Sequence, residues 1–84
     1  MNKTEYNAAR ALYLQLLNKG KENRTEVEES QYLYLDKLMT YINLRATARQ
    51  MGNKNPDENF LVKGAKEKLE KAQNEMHKVM EKVS

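Results

Sequence analysis

Asn55–Val83, NPDENFLVKGAKEKLEKAQNEMHKVMEKV, is the stretch whose reading decides the fold. Asn55-Pro56-Asp57-Glu58 carries a helix start: a side chain able to cap, a proline at the first helical position, and a glutamate placed to close a capping box. After it, Val62, Ala65, Leu69, Ala72, Met76, Val79 and Val83 recur at steps of three and four. That is the spacing of a coiled-coil seam, and it predicts a third helix over about 56–82. On the same stretch Lys63–Glu67, Lys66–Glu70, Glu67–Lys71 and Lys71–Glu75 are spaced for i,i+4 ion pairs, which marks the face away from the seam as solvated.

The residues before this stretch must cover the seam. Gly52 is a natural stop for a preceding helix, and Thr25-x-x-Glu28 is a capping box at its other end. Glu26, Glu28 and Glu29 near its start and Arg45 and Arg49 near its end complement the helix dipole. The second helix is therefore predicted over about 26–51, uninterrupted by proline. Tyr32-Leu33-Tyr34-Leu35 has strand-like composition, but the periodicity continues through Leu38, Ile42 and Ala46 and decides for helix. Its apolar arc, from Val27 through Leu35, Leu38, Tyr41 and Ile42 to Ala48, spans more than half the circumference. One neighbour needs a stripe of roughly 100°, so this helix is predicted to touch two.

The first helix is predicted over about 4–19, capped by Asn2 or Thr4 and stopped by Gly20. Tyr6, Ala9, Leu12, Tyr13, Leu16 and Leu17 form its apolar arc. Short polar connections make sequential helices antiparallel neighbours. The prediction is a single all-α domain over 1–84: an antiparallel three-helix bundle dominated by a long hairpin of the second and third helices. A coiled-coil-like dimer is the variant in which the seam, or two hairpins together, pair between chains. Because the first helix is about ten residues shorter than the second, Tyr41–Met51 and Phe60–Ala65 are expected to be under-covered.

Composition narrows the function. Hydrophobic residues at 39% and charged residues at 32% suit a water-soluble helical domain. With no cysteine there is no disulfide, thiol nucleophile or thiolate metal site, which fits a cytoplasmic address. No segment has the apolar length of a membrane span. His77 is the single histidine; paired with Glu81 it supplies two ligands at most, too few for a structural metal site. The only serines, Ser30 and Ser84, have no histidine partner fixed by spacing, and Glu67 and Glu70 stand among lysines. No cofactor, small-molecule substrate or catalytic residue is indicated, and the chain reads as not an enzyme.

Two binding readings remain. The first is a protein-protein interaction module, an adaptor or an inhibitor of a larger protein machine, with a contact surface at Tyr41, Leu44, Arg45, Arg49 and Phe60. Tyrosine and arginine are enriched at interfaces, and these residues cluster toward the under-covered end of the hairpin. The alternative is nucleic-acid binding. The formal charge of +3 comes entirely from the first 24 residues, where Lys3, Arg10, Lys19, Lys21 and Arg24 outnumber Glu5 and Glu22. Those five cations are the candidate phosphate contacts. Tyr13, Tyr32 and Tyr34 are the candidate base-stacking residues.

Overall fold

Asn2 opens helix α1 (Lys3–Lys19) by accepting the Glu5 backbone N–H at 2.8 Å and donating its amide to the Glu5 carboxylate. In this computed structural model residues 2–83 are described; Ser84 lies outside them. Gly20 ends α1 at φ +83°, a left-handed conformation that a β-carbon disfavours. A single 3-10 turn, Lys21–Asn23, leads to Thr25, whose hydroxyl accepts from Glu28 N–H while the Glu28 carboxylate accepts from Thr25 N–H, both at 3.1 Å. This reciprocal cap starts α2 (Glu26–Gln50), which runs unbroken to Met51 and to Gly52 at φ +92°.

The third helix starts later than its sequence signals. Pro56–Glu58 is a separate 3-10 turn, and α3 spans Phe60–Val83. Asn55 makes no side-chain cap; Asn59, in extended conformation, accepts from the N–H groups of Leu61 at 2.9 Å and Val62 at 3.4 Å. The cause is tertiary. Asp57, read from sequence as part of the first helical turn, is drawn across to α2, where it accepts from the Tyr41 hydroxyl at 3.1 Å and from Arg45 Nη2 at 3.3 Å. With Pro56 buried beneath it, the turn is fastened to α2 and the helix begins after it.

The three helices form an antiparallel bundle in which α2 is central. Pairs such as Lys19–Glu28 and Tyr13–Asp36 lay α1 along α2, and Asp57–Arg45 and Glu26–Lys82 lay α3 along it. The molecule is 42 Å long, close to the ~38 Å that 25 helical residues span, so the hairpin sets its length. The bundle is open: α1 and α3 scarcely touch each other. Leu16, Leu35, Ala48, Val62 and Ala65 are buried, and only Val62, at 1% exposure, is sealed. Leu12 stays 40% exposed because no third helix closes over it.

Val62 and Ala65, the first members of the seam, are consumed within the chain, and Leu69, Ala72, Met76 and Val79 are half-buried. The coiled-coil-like spacing thus serves the intramolecular hairpin. None of the four i,i+4 ion pairs anticipated on α3 forms; its ion pairs among the described residues include Glu75–Lys78 at 3.7 Å and Glu26–Lys82 at 3.5 Å. Such surface pairs contribute ~0–1 kcal/mol, too little to hold long side chains together.

A polar-aromatic clasp joins α1 to α2. Tyr13 and Tyr32 stack with ring centroids 5.1 Å apart and planes 7° from parallel. The Arg24 guanidinium lies 4.1 Å over the Tyr32 ring, donates from Nη1 to the Leu16 carbonyl at 2.7 Å, and pairs through Nε with Glu29 at 2.6 Å. The Tyr13 hydroxyl donates to Asp36 at 3.3 Å. The neighbouring Tyr32 hydroxyl first, then burial and the Asp36 carboxylate, push the Tyr13 phenol from 10.0 up to about 12. The folded state therefore prefers the protonated phenol. Its contribution to stability is intact below about pH 10 and is lost as pH climbs toward about 12. In an alkaline titration followed by phenolate absorbance of the Tyr41→Phe variant, which lacks the other raised phenol, the Tyr13 phenol is expected to ionise after an ordinary tyrosine, and adding Tyr13→Phe should remove the late step. Persistence of that step in the double variant would refute the assignment.

Candidate functional site

Leu38, Ile42, Ala46 and Arg49 recur at steps of three and four along one face of α2, with Tyr41 and Arg45 bordering them. Opposite stand the first turns of α1, which supply Asn2, Lys3 and Tyr6. Between the two is an open groove of about 550 Å³ with Asn43 at its margin. It exists because the first two turns of α1 carry only Tyr6 and Ala9 on their apolar side. Neither has the aliphatic bulk to seal Leu38 and Ile42, so both remain partly accessible.

The charge on this groove has one sign. Lys3, Arg45 and Arg49 stand on the rim, and no carboxylate is among its described walls. Arg45 is already committed: its Nε is buried 3.1 Å from Asp57 Oδ1, at an angle too poor for a hydrogen bond, while Nη2 donates to Oδ2. Lys3 and Arg49 make no ion pair among the described residues. Burial, and then the hydrogen bond to Asp57, raise the Tyr41 phenol above its usual value, so it stays a neutral donor. The groove thus sets an apolar floor beside two uncommitted cations. It brings no nucleophile together with a base, and no cluster of three or more His, Cys, Asp or Glu suited to a metal ion occurs among the described residues.

Of the five residues anticipated at a protein contact, the groove gathers Tyr41, Arg45 and Arg49. Leu44 is half-buried and is not among its walls. Phe60, the first residue of α3, is 86% exposed at the same end of the hairpin as Met51, 79% exposed. The expected under-covered region is therefore the end of α2 and the tip at Phe60; Ala48, Val62 and Ala65 are buried. Tyr6, Leu38, Ile42 and Ala46, which the helical wheels place on core-facing arcs, line the groove between α1 and α2, where α3 makes almost no contact with α1.

The five cations anticipated for nucleic acid do not make one patch. Lys3 lies at the opposite end of α1 from Lys19, about 24 Å away along the axis. Lys19 is held by Glu28 at 2.7 Å, and this contact, with the Thr25 backbone, keeps the Glu28 carboxyl below the usual range. Arg24, with its side chain 7% exposed, is a structural residue. Arg10 and Lys21 are exposed. Tyr13 and Tyr32 stack on each other and not on open surface. Among the described residues no helix is long and apolar enough to cross a membrane. Comparison with the profiles of known protein families, with curated proteins and with solved structures gives no match.

Proposed function

We propose that this chain is a non-catalytic protein-binding module, a small adaptor or an inhibitor of a larger protein machine, and that it engages its partner through the groove between α1 and the second half of α2. The observation that carries this reading is an accessible apolar floor bordered by Lys3 and Arg49 with no carboxylate among its walls. Exposed apolar surface of this kind is retained in a small helical domain where another molecule covers it. Phe60 and Met51, at the same end of the hairpin, extend the apolar area available to a partner.

The test is affinity capture from the source cell after nuclease treatment, comparing the natural chain with the Lys3→Glu/Arg49→Glu double variant. Both positions are exposed, so the variant should retain its helical circular dichroism. A protein retained in stoichiometric amount by the natural chain and lost by the variant is the expected result. Release of the bound material by nuclease would favour the nucleic-acid reading, and undiminished capture by the variant would remove the groove from the account. A second copy of the chain as the partner would show as doubled mass in light scattering.

A further inference from the structure

A second groove lies at the other end of the hairpin and shares no wall residue with the first. It runs between the N-terminal half of α2 and the C-terminal half of α3, encloses about 520 Å³, and is lined mainly by apolar surface. Its floor is Ser30, Leu33, Ala72 and Val79. Leu33 is 46% exposed, whereas Leu35 on the same helix is buried. Ala72 brings only a methyl group to the α3 wall, which leaves the depression beside Leu33.

The two walls are matched rows. On α2 the lining residues run from Glu26 to Lys37, and on α3 from Lys68 to Val79, each at helical steps of three and four. Eleven helical steps, over twelve residues, give a trench ~16 Å long, the length of three turns of a docked helix. An elongated trench between two parallel ridges accepts a third helix laid along it, as ridges enter grooves in helix packing.

The charges on the rim select the occupant. The trench walls carry five cations, Lys21, Arg24, Lys37, Lys68 and Lys71, against three carboxylates, of which Glu29 is held by Arg24 at 2.6 Å while Glu26 and Glu75 lie beside Lys82 at 3.5 Å and Lys78 at 3.7 Å. Lys37 is paired with Asp36 at 3.5 Å. Lys21, Lys68 and Lys71 have no carboxylate partner among the described residues. Uncommitted charge is thus positive at both ends of the trench, Lys21 near the start of α2 and Lys68 and Lys71 beside Lys37. We infer that this trench docks an acidic amphipathic helix of a partner protein, its apolar side on Leu33, Ala72 and Val79 and its carboxylates on Lys21, Lys68 and Lys71.

A polyphosphate has no apolar surface to lay on Leu33, Ala72 and Val79, and a flat bilayer does not reach a concave floor. A helix alternating leucine-like and acidic positions satisfies floor and rim together. Because the two grooves occupy opposite ends of the hairpin, this site is independent of the one between α1 and α2, and a chain using both joins two proteins.

The experiment is selection of random displayed peptides on the immobilised full chain. Lys68→Glu/Lys71→Glu, Lys68→Gln/Lys71→Gln and Lys3→Glu/Arg49→Glu serve as comparison targets, each confirmed folded by circular dichroism. The expected result is enrichment of net-negative peptides with apolar residues at i, i+3, i+4 and i+7. Their affinity should fall about tenfold or more on Lys68→Glu/Lys71→Glu, less on the glutamine pair, and not on Lys3→Glu/Arg49→Glu. Amide chemical-shift changes should centre on Leu33, Ala72 and Val79. The inference is overturned by no enrichment, by enriched peptides without acids, by affinity unchanged in both α3 variants, or by displacement of the peptides by duplex DNA or phosphatidylglycerol vesicles at lower concentration than by free peptide. Sensitivity to Lys3→Glu/Arg49→Glu alone would overturn it while supporting the first groove.

Discussion

Val62→Asp is expected to leave the chain unfolded at room temperature, whereas Val62→Ala folds with reduced stability. Among the described residues Val62 is the one side chain sealed almost completely, at 1% exposure, and it sits in the first turn of α3 where that helix meets α2. A carboxylate there has neither water nor a cationic partner in place. Burying an unpaired polar or charged group costs several kcal/mol, among the largest effects of single substitutions. The whole chain has a stability of about 4–13 kcal/mol by the usual per-residue range. The lower end is the better expectation, because the buried core among the described residues holds only two leucines and a valine besides Ala48, Ala65 and Pro56. Aspartate thus removes roughly the whole margin, while alanine removes about 1–2 kcal/mol by leaving a small cavity. Far-ultraviolet circular dichroism and urea unfolding read both. A cooperative transition for Val62→Asp within about 1 kcal/mol of the natural chain would show that α3 does not seal against α2.

The same contrast between local and long-range causes explains what was legible in the sequence. Helix α2 was readable at both ends because its signals are local: Thr25 and Glu28 cap each other three residues apart, and Gly52 supplies the left-handed turn. Asn2 and Glu5 made the start of α1 readable in the same way. The start of α3 was not, because Asn55 and Asn59 both precede helix-compatible residues. The choice between them is made by Asp57 reaching Tyr41 and Arg45, sixteen and twelve positions away in sequence.

The candidate site divides along the same line. Tyr41, Arg45 and Arg49 were found because helical spacing puts them at the edge of an apolar arc. Helical wheels place Tyr6, Leu38, Ile42 and Ala46 in the core because a wheel does not record which side chains the neighbouring helix brings to cover them, here only Tyr6 and Ala9 from the first turns of α1. Arg24 was read as a phosphate contact for a related reason: sequence records its charge and not its burial. Glu29, five residues on, and Tyr32, at the next turn, were the local signals that it had partners within the chain.

Arg24 carries the second large effect. Arg24→Ala is expected to lower stability by about 2–4 kcal/mol and to free α1 before the α2–α3 hairpin opens. One guanidinium holds three things: the Glu29 carboxylate, the Leu16 carbonyl near the end of α1, and the face of Tyr32 against which Tyr13 is stacked. Removing it leaves a carbonyl without its donor and unstacks one side of the clasp. Glu29 is 31% exposed, so water recovers part of its loss, which keeps the effect below that of breaking a fully buried pair. Arg24→Lys retains the charge but loses the planar fork that serves Glu29 and Leu16 together, and should fall between alanine and the natural chain. Urea unfolding measures the magnitude, and amide hydrogen exchange measures its location. Loss of protection in α1 under conditions where α2 and α3 stay protected is the expected pattern, because α1 is tied mainly to α2 and scarcely to α3. Uniform loss of protection across all three helices would mean that the clasp stabilises the bundle as one cooperative unit, and equal stability of the alanine, lysine and natural chains would mean that it stabilises nothing.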